Sequence, residues 1–119
     1  MKRLTKKEEI IMEWLWEKGP MYVKELQELY PEPRPHFNTL STQVRTLESN
    51  GYILHNARSG SFQYYAAISR EEYNRMSLDS LIGKIFGNSY LNAVSTLVRD
   101  EKITVDELKS LIEQIERGQ

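Results

Sequence analysis

The sequence predicts a mainly α-helical chain with one small β-hairpin, divided into an N-terminal domain over residues 1–68 and a three-helix tail over residues 69–119. Three observations carry this. Capping boxes, a Ser or Thr followed three residues later by Glu, open helices at Thr5, Ser69 and Thr104. Apolar residues recur at three- and four-residue intervals through most of the chain, the period of a helix with one buried face. Between Gly51 and Ala67 that period gives way to two short runs rich in aromatic and branched residues.

The first helix starts at the Thr5-Lys-Lys-Glu8 box, carries Ile11, Met12, Leu15 and Trp16 as its apolar stripe, and ends at Gly19-Pro20. A second, short helix runs from about Tyr22 to Tyr30 with Val23, Leu26 and Leu29 inward. Pro31, Pro33 and Pro35 forbid its continuation, because each lacks an N–H and restricts the residue before it. The third helix lies between Pro35 and Gly51, with Phe37, Leu40, Val44 and Leu47 on the inner side. Its other side holds Asn38, Ser41, Thr42, Arg45 and Ser49, short polar groups nearly free of acid. Taken alone, such a face reads as an ordinary solvated helix surface.

Its neighbours change the reading. Tyr52–Ala57 and Ser61–Ala67 form a hairpin around the turn Arg58-Ser59-Gly60. Three helices followed by a hairpin is the plan of a winged helix-turn-helix, in which the third helix enters the major groove and the hairpin lies beside it. A face without bulk or acid suits a groove, since it offers donors and acceptors to base edges and phosphates. Asn56, Arg58, Ser59 and Ser61 at the hairpin tip are short or cationic, as a wing over a phosphate backbone requires.

Composition bounds this reading without making it. The 119 residues are 39% hydrophobic and 28% charged, ordinary for a soluble domain. Net charge is −1. Residues 1–68 hold nine Lys/Arg and eight Asp/Glu, a balance of +1, and the tail holds seven and nine, a balance of −2. Strong salt-driven binding to DNA by a single copy is not implied. The absence of cysteine excludes disulfides, thiolate metal sites and a cysteine nucleophile, and fits a cytoplasmic location. The basic start, MKRLTKKEE, leads into no apolar region and does not read as a signal peptide. No run approaches the roughly 20 apolar residues of a membrane span, so no membrane insertion is expected.

The tail reads as three helices. The first follows Ser69, with Tyr73, Met76, Leu78, Leu81, Ile82, Ile85 and Phe86 as apolar positions, and breaks at Gly87-Asn88. The second, from about Ser89 to Asp100, presents Leu91, Val94, Leu97 and Val98. The third follows Thr104 and presents Val105, Leu108, Leu111, Ile112 and Ile115. About fifty residues bury too little area for comfortable stability alone. They either cap the first domain or pack on a second copy. The homodimer is favoured, through Leu81, Ile85, Leu91, Val94, Leu97, Val98, Leu108, Leu111, Ile112 and Ile115. Two recognition helices on one axis double weak phosphate contacts and read a palindrome.

Ordered along the chain, Glu8…Ile11-Met12…Leu15-Trp16, Thr39-Leu40-Ser41-Thr42…Leu47, Gly51-Tyr52-Ile53, Phe62-Gln63-Tyr64-Tyr65, Phe86-Gly87, Leu91-Asn92 and Asp106-Glu107-Leu108 resemble the penicillinase-repressor family. That family comprises the β-lactamase and methicillin-resistance repressors, with the copper-transport repressors as relatives. The resemblance covers nearly the whole length and rests on order and spacing. It implies a dimeric winged-helix repressor on a two-fold symmetric, double-stranded operator. Carried over by position, Asn38, Thr39, Ser41, Thr42 and Arg45 face DNA, with Arg58 in the wing.

In the antibiotic-responsive members, a membrane-bound sensor protease leads to cleavage in the second tail helix. Thr96-Leu97 stands at that place here, where the family pattern is Asn-Phe, and the departure counts against a protease response. Copper-responsive members use a terminal cysteine cluster, which this chain lacks. Relatives usually carry an arginine where Thr46 stands; here the arginine is one place earlier, at Arg45.

Other chemistry is poorly supported. His36 and His55 have no carboxylate accompanying both, so no metal site and no cofactor is expected. No serine sits in a nucleophile elbow, and no glycine-rich phosphate loop occurs. Glu8, Glu72 and Glu107 are helix starts rather than acid/base groups. Trp14, Trp16 and the tyrosines read as core or dimer contacts rather than a base-stacking platform. The chain is expected not to be an enzyme. Two alternatives to an operator-binding repressor stay open: a winged-helix protein-interaction module, and an effector-binding regulator without protease-triggered release.

Overall fold

The computed structural model describes residues 2–118. Helix α1 (Lys6–Lys18) is followed by strand β1 (Met21–Tyr22), helices α2 (Val23–Leu29) and α3 (Phe37–Ser49), and strands β2 (Ile53–Arg58) and β3 (Ser61–Ala66). Helices α4 (Arg70–Ile85), α5 (Tyr90–Arg99) and α6 (Val105–Arg117) complete the chain. This is a winged helix followed by C-terminal helices. Two compact units are present, residues up to Tyr73 and residues from Asn74 onward, and the division falls inside α4.

In the first unit the capping box at α1 closes both ways. Glu8 N–H donates to Thr5 Oγ1 at 3.2 Å, and Thr5 N–H donates to Glu8 Oε1 at 2.9 Å. The stripes of α1, α2 and α3 meet in one core, where Ile11, Met12, Leu40, Val44, Leu47, Tyr52 and Ile53 are almost wholly buried. Each such side chain contributes about 1.5–3 kcal/mol by leaving water. Trp16 completes the core as expected. Its indole N–H donates to the Ile68 carbonyl at 2.8 Å, and its ring lies 5.7 Å from that of Tyr73. Trp14 meets the Tyr30 ring edge-on at 4.7 Å.

The sheet departs from the expected hairpin. It has three antiparallel strands in the order β1-β3-β2, with Met21 opposite Tyr64 and Tyr22 opposite Gln63. Tyr22 was expected inside the second helix, but two residues of strand carry no periodicity that could reveal them. Helix α2 begins one residue later, with Tyr22 N–H held by Glu25 Oε1 at 2.9 Å. Arg58, expected in the turn, pairs with Ser61 as the last residue of β2. Ser59 and Gly60 alone make the turn, with φ of 50° and 78°. Both positive values match the right-handed strand twist of a two-residue hairpin.

A second correction concerns Phe37. It was expected in the core, yet it is 48% exposed. It shares a side with Leu40 and Val44 but is the first residue of α3, where it lines a surface cleft. Periodicity assigns a face and not the neighbour that covers it.

Glu72 and Ser69 close the box ahead of α4 at the end of the first unit; in the second unit, Ser89 caps α5 and Thr104 caps α6. The Glu107 carboxyl is held below its usual range by the hydrogen bonds it shares with Thr104. Among the described residues of this unit only Ala93 is buried. Leu81, Ile85, Leu91, Val94, Leu97, Leu111, Ile112 and Ile115 are exposed, Leu91 at 83%, while Val98 and Leu108 are half-buried. No helix among the described residues is long and apolar enough to cross a membrane.

Candidate nucleic-acid interface

Helix α3 is anchored by Leu40, Val44 and Leu47, which bury one side and leave the other outward. Asn38, Thr39, Thr42, Arg45, Thr46 and Ser49 are exposed, and Ser41 is half-buried. No acidic residue lies in the first turn of α3. The threonine hydroxyls are partly committed to the helix itself. Thr42 Oγ1 donates to the Asn38 carbonyl at 3.0 Å, and Thr46 Oγ1 donates to the Thr42 carbonyl at 3.0 Å. Their protons being used, these side chains offer a methyl group and oxygen lone pairs outward. Arg45 Nη2 reaches back to Thr42 Oγ1 at 3.4 Å, a long contact that a stronger acceptor would replace.

A cleft of about 770 Å³ joins α3 to the wing. Ser41 and Arg45 line it from α3, and Arg58, Ser59, Ser61 and Phe62 line it from the hairpin. Of the six residues expected to face DNA, the cleft brings together Ser41, Arg45 and Arg58; Asn38, Thr39 and Thr42 lie on α3 outside it. Neither Arg45 nor Arg58 has a salt bridge among the described residues. Arg34 differs: it bonds the carbonyls of Tyr30 and Glu28 and pairs with Glu32 at 3.2 Å.

Tyr22 from β1 and Lys24, Glu25 and Glu28 from α2 line the same cleft and went unrecognised in the sequence. Lys24 follows inward-facing Val23, so its outward position was readable; its approach to the wing was not, because that depends on β1. Phe62 is 52% exposed at the cleft and stacks on His55, ring centroids 4.2 Å apart. His55 Nδ1 meets Glu48 Oε2 at 2.5 Å, linking β2 to the last turn of α3. The buried Tyr64 hydroxyl is pushed up by desolvation, then by Glu48, while Arg45 lowers it. Among the described residues no three His, Asp or Glu side chains gather as a metal site requires.

The penicillinase repressor family matches residues 4–117, nearly the whole chain. None of the curated proteins compared with the chain matches it. The family match spans the winged helix with its polar α3 face and also the C-terminal helices, so the chain belongs to the penicillinase repressor family, a family of transcriptional repressors.

Proposed function

We propose that the chain represses transcription by binding a palindromic operator in double-stranded DNA as a homodimer. One observation carries the reading: α3 and the wing bring Arg45 and Arg58, both without an ion pair among the described residues, to one cleft beside an exposed face free of acid in its first turn. Arg45, Asn38, Thr39, Ser41 and Thr42 then face the major groove, and Arg58 meets the backbone beside it.

The near-neutral charge of one copy makes the second copy necessary, since affinity follows the number of phosphates neutralised. The exposed apolar positions of α4, α5 and α6 supply the surface for it. Release by cleavage at Thr96-Leu97 is a separate matter. The bond lies within α5, with Thr96 Oγ1 donating to the Asn92 carbonyl at 2.8 Å, so a protease needs that helix opened first.

Selection of bound fragments from genomic DNA by the purified protein tests the reading. A recovered palindrome, bound with affinity that falls steeply with salt, is expected. Half-exposed Phe37 and Phe62 in the cleft favour a second reading, a module that docks a partner protein. Binding to duplex DNA with no salt dependence or no sequence preference would select that second reading.

A further inference from the structure

Glu48 is the one carboxylate between Arg34 and Gln63, and it stands in the last turn of α3. Both facts make it unwelcome on a DNA-binding surface. The negative end of the helix dipole opposes it, and so would a phosphate. It also lies three residues after Arg45, a spacing at which an ion pair forms along a helix. Such a pair would draw Arg45 away from DNA. It is not made: Glu48 Oε2 meets His55 Nδ1 instead, and Arg45 turns toward Thr42.

The imidazole is held for this contact. It comes from β2, stacks on Phe62 with rings 25° apart, and meets the Tyr64 ring edge-on at 5.6 Å. Its side chain is 33% exposed and that of Glu48 26%. Glu48 from α3 bonds it and the Tyr64 ring from β3 lies against it. Glu48 and Arg45 act in opposite senses on the Tyr64 hydroxyl, which puts both within electrostatic range of the same point.

We propose that His55 and Glu48 are positioning residues for DNA binding: the imidazole occupies the Glu48 carboxylate, so that Arg45 stays available to DNA. The proposal rests on the DNA-binding reading. Without that partner the carboxylate turns to Arg45, three residues before it on the same helix, and operator affinity falls.

The test measures operator affinity at fixed pH and salt, on the duplex selected by the wild-type protein. His55→Phe, which keeps an aromatic ring against Phe62 and removes the contact to Glu48, should bind about three- to tenfold more weakly than the wild type. Glu48→Gln alone should bind at least as tightly as the wild type, and adding it to His55→Phe should restore affinity.

Undiminished affinity in His55→Phe would overturn the proposal, because Arg45 would then be available to DNA without the imidazole. A double variant no tighter than His55→Phe would also overturn it, because the pair would then be only a structural tie. No binding by the wild type would instead remove the DNA reading, and this proposal with it.

Discussion

Leu40 on α3 and Leu111 on α6 occupy the same kind of place, an apolar stripe on a thirteen-residue helix, yet Leu40 is wholly buried and Leu111 is half exposed. The contrast extends to the two units. Up to Tyr73, stripes from three helices and residues of all three strands close on one core. From Asn74 onward, the apolar positions of three helices leave Leu81, Ile85, Leu91 and Ile115 open to water, and among the described residues only Ala93 is buried. Large exposed apolar surface of this kind marks an interaction site. A stripe therefore states that a face will be covered, and the fold decides whether the same chain covers it. In the first unit the chain does so; in the second we propose that another copy does.

The sharpest way to break this comparison is to damage both stripes. Leu40→Ala should cost about 2–5 kcal/mol of unfolding free energy, read by denaturant titration, with a loss independent of protein concentration. Ile112→Asp should leave the first unit folded and instead convert the dimer to monomer, with operator binding weakened most at low protein concentration. A concentration-independent loss of the whole fold in Ile112→Asp would place the tail stripe inside the chain's own core.

Arg45→Ala comes next, with about 1–3 kcal/mol expected at one operator position if the guanidinium reads a base edge. Uniform weakening across all sequences, with a shallower salt slope, would assign it to phosphate; unchanged gel-shift affinity would remove it from the interface. Trp16→Phe deletes the indole donor to the Ile68 carbonyl and should cost about 1 kcal/mol in thermal or chemical unfolding.

The smallest effect concerns α6. Hydrogen bonding to Thr104 lowers the Glu107 carboxyl from its ordinary 4.5, so the cap's contribution is complete above that value and is lost as pH falls through the lowered one. Helicity of the tail should decline over that acid range, and Glu107→Gln should flatten that part of the profile.

Local chemistry was the legible part of this chain. The boxes at Thr5/Glu8, Ser69/Glu72 and Thr104/Glu107 start their helices where two reciprocal hydrogen bonds dictate. The run Pro31, Pro33, Pro35 separates α2 from α3 as a missing donor must, and the exposed polar face of α3 follows from its period. Contacts between distant residues were not legible. Strand β1 exists because Met21 and Tyr22 find β3, and nothing within the pair announces it. Phe37 carries the core pattern but stands at the first residue of α3, on a surface cleft. Lys24 and Phe62 come to one cleft, and His55 meets Glu48, only when the wing folds beside α3.

Equilibrium sedimentation of the whole chain at micromolar concentration tests the central claim most directly, that the tail's open apolar face is the surface on which two copies meet. A single species of twice the 14.0 kDa chain mass is predicted. A well-folded monomer at that concentration would contradict it.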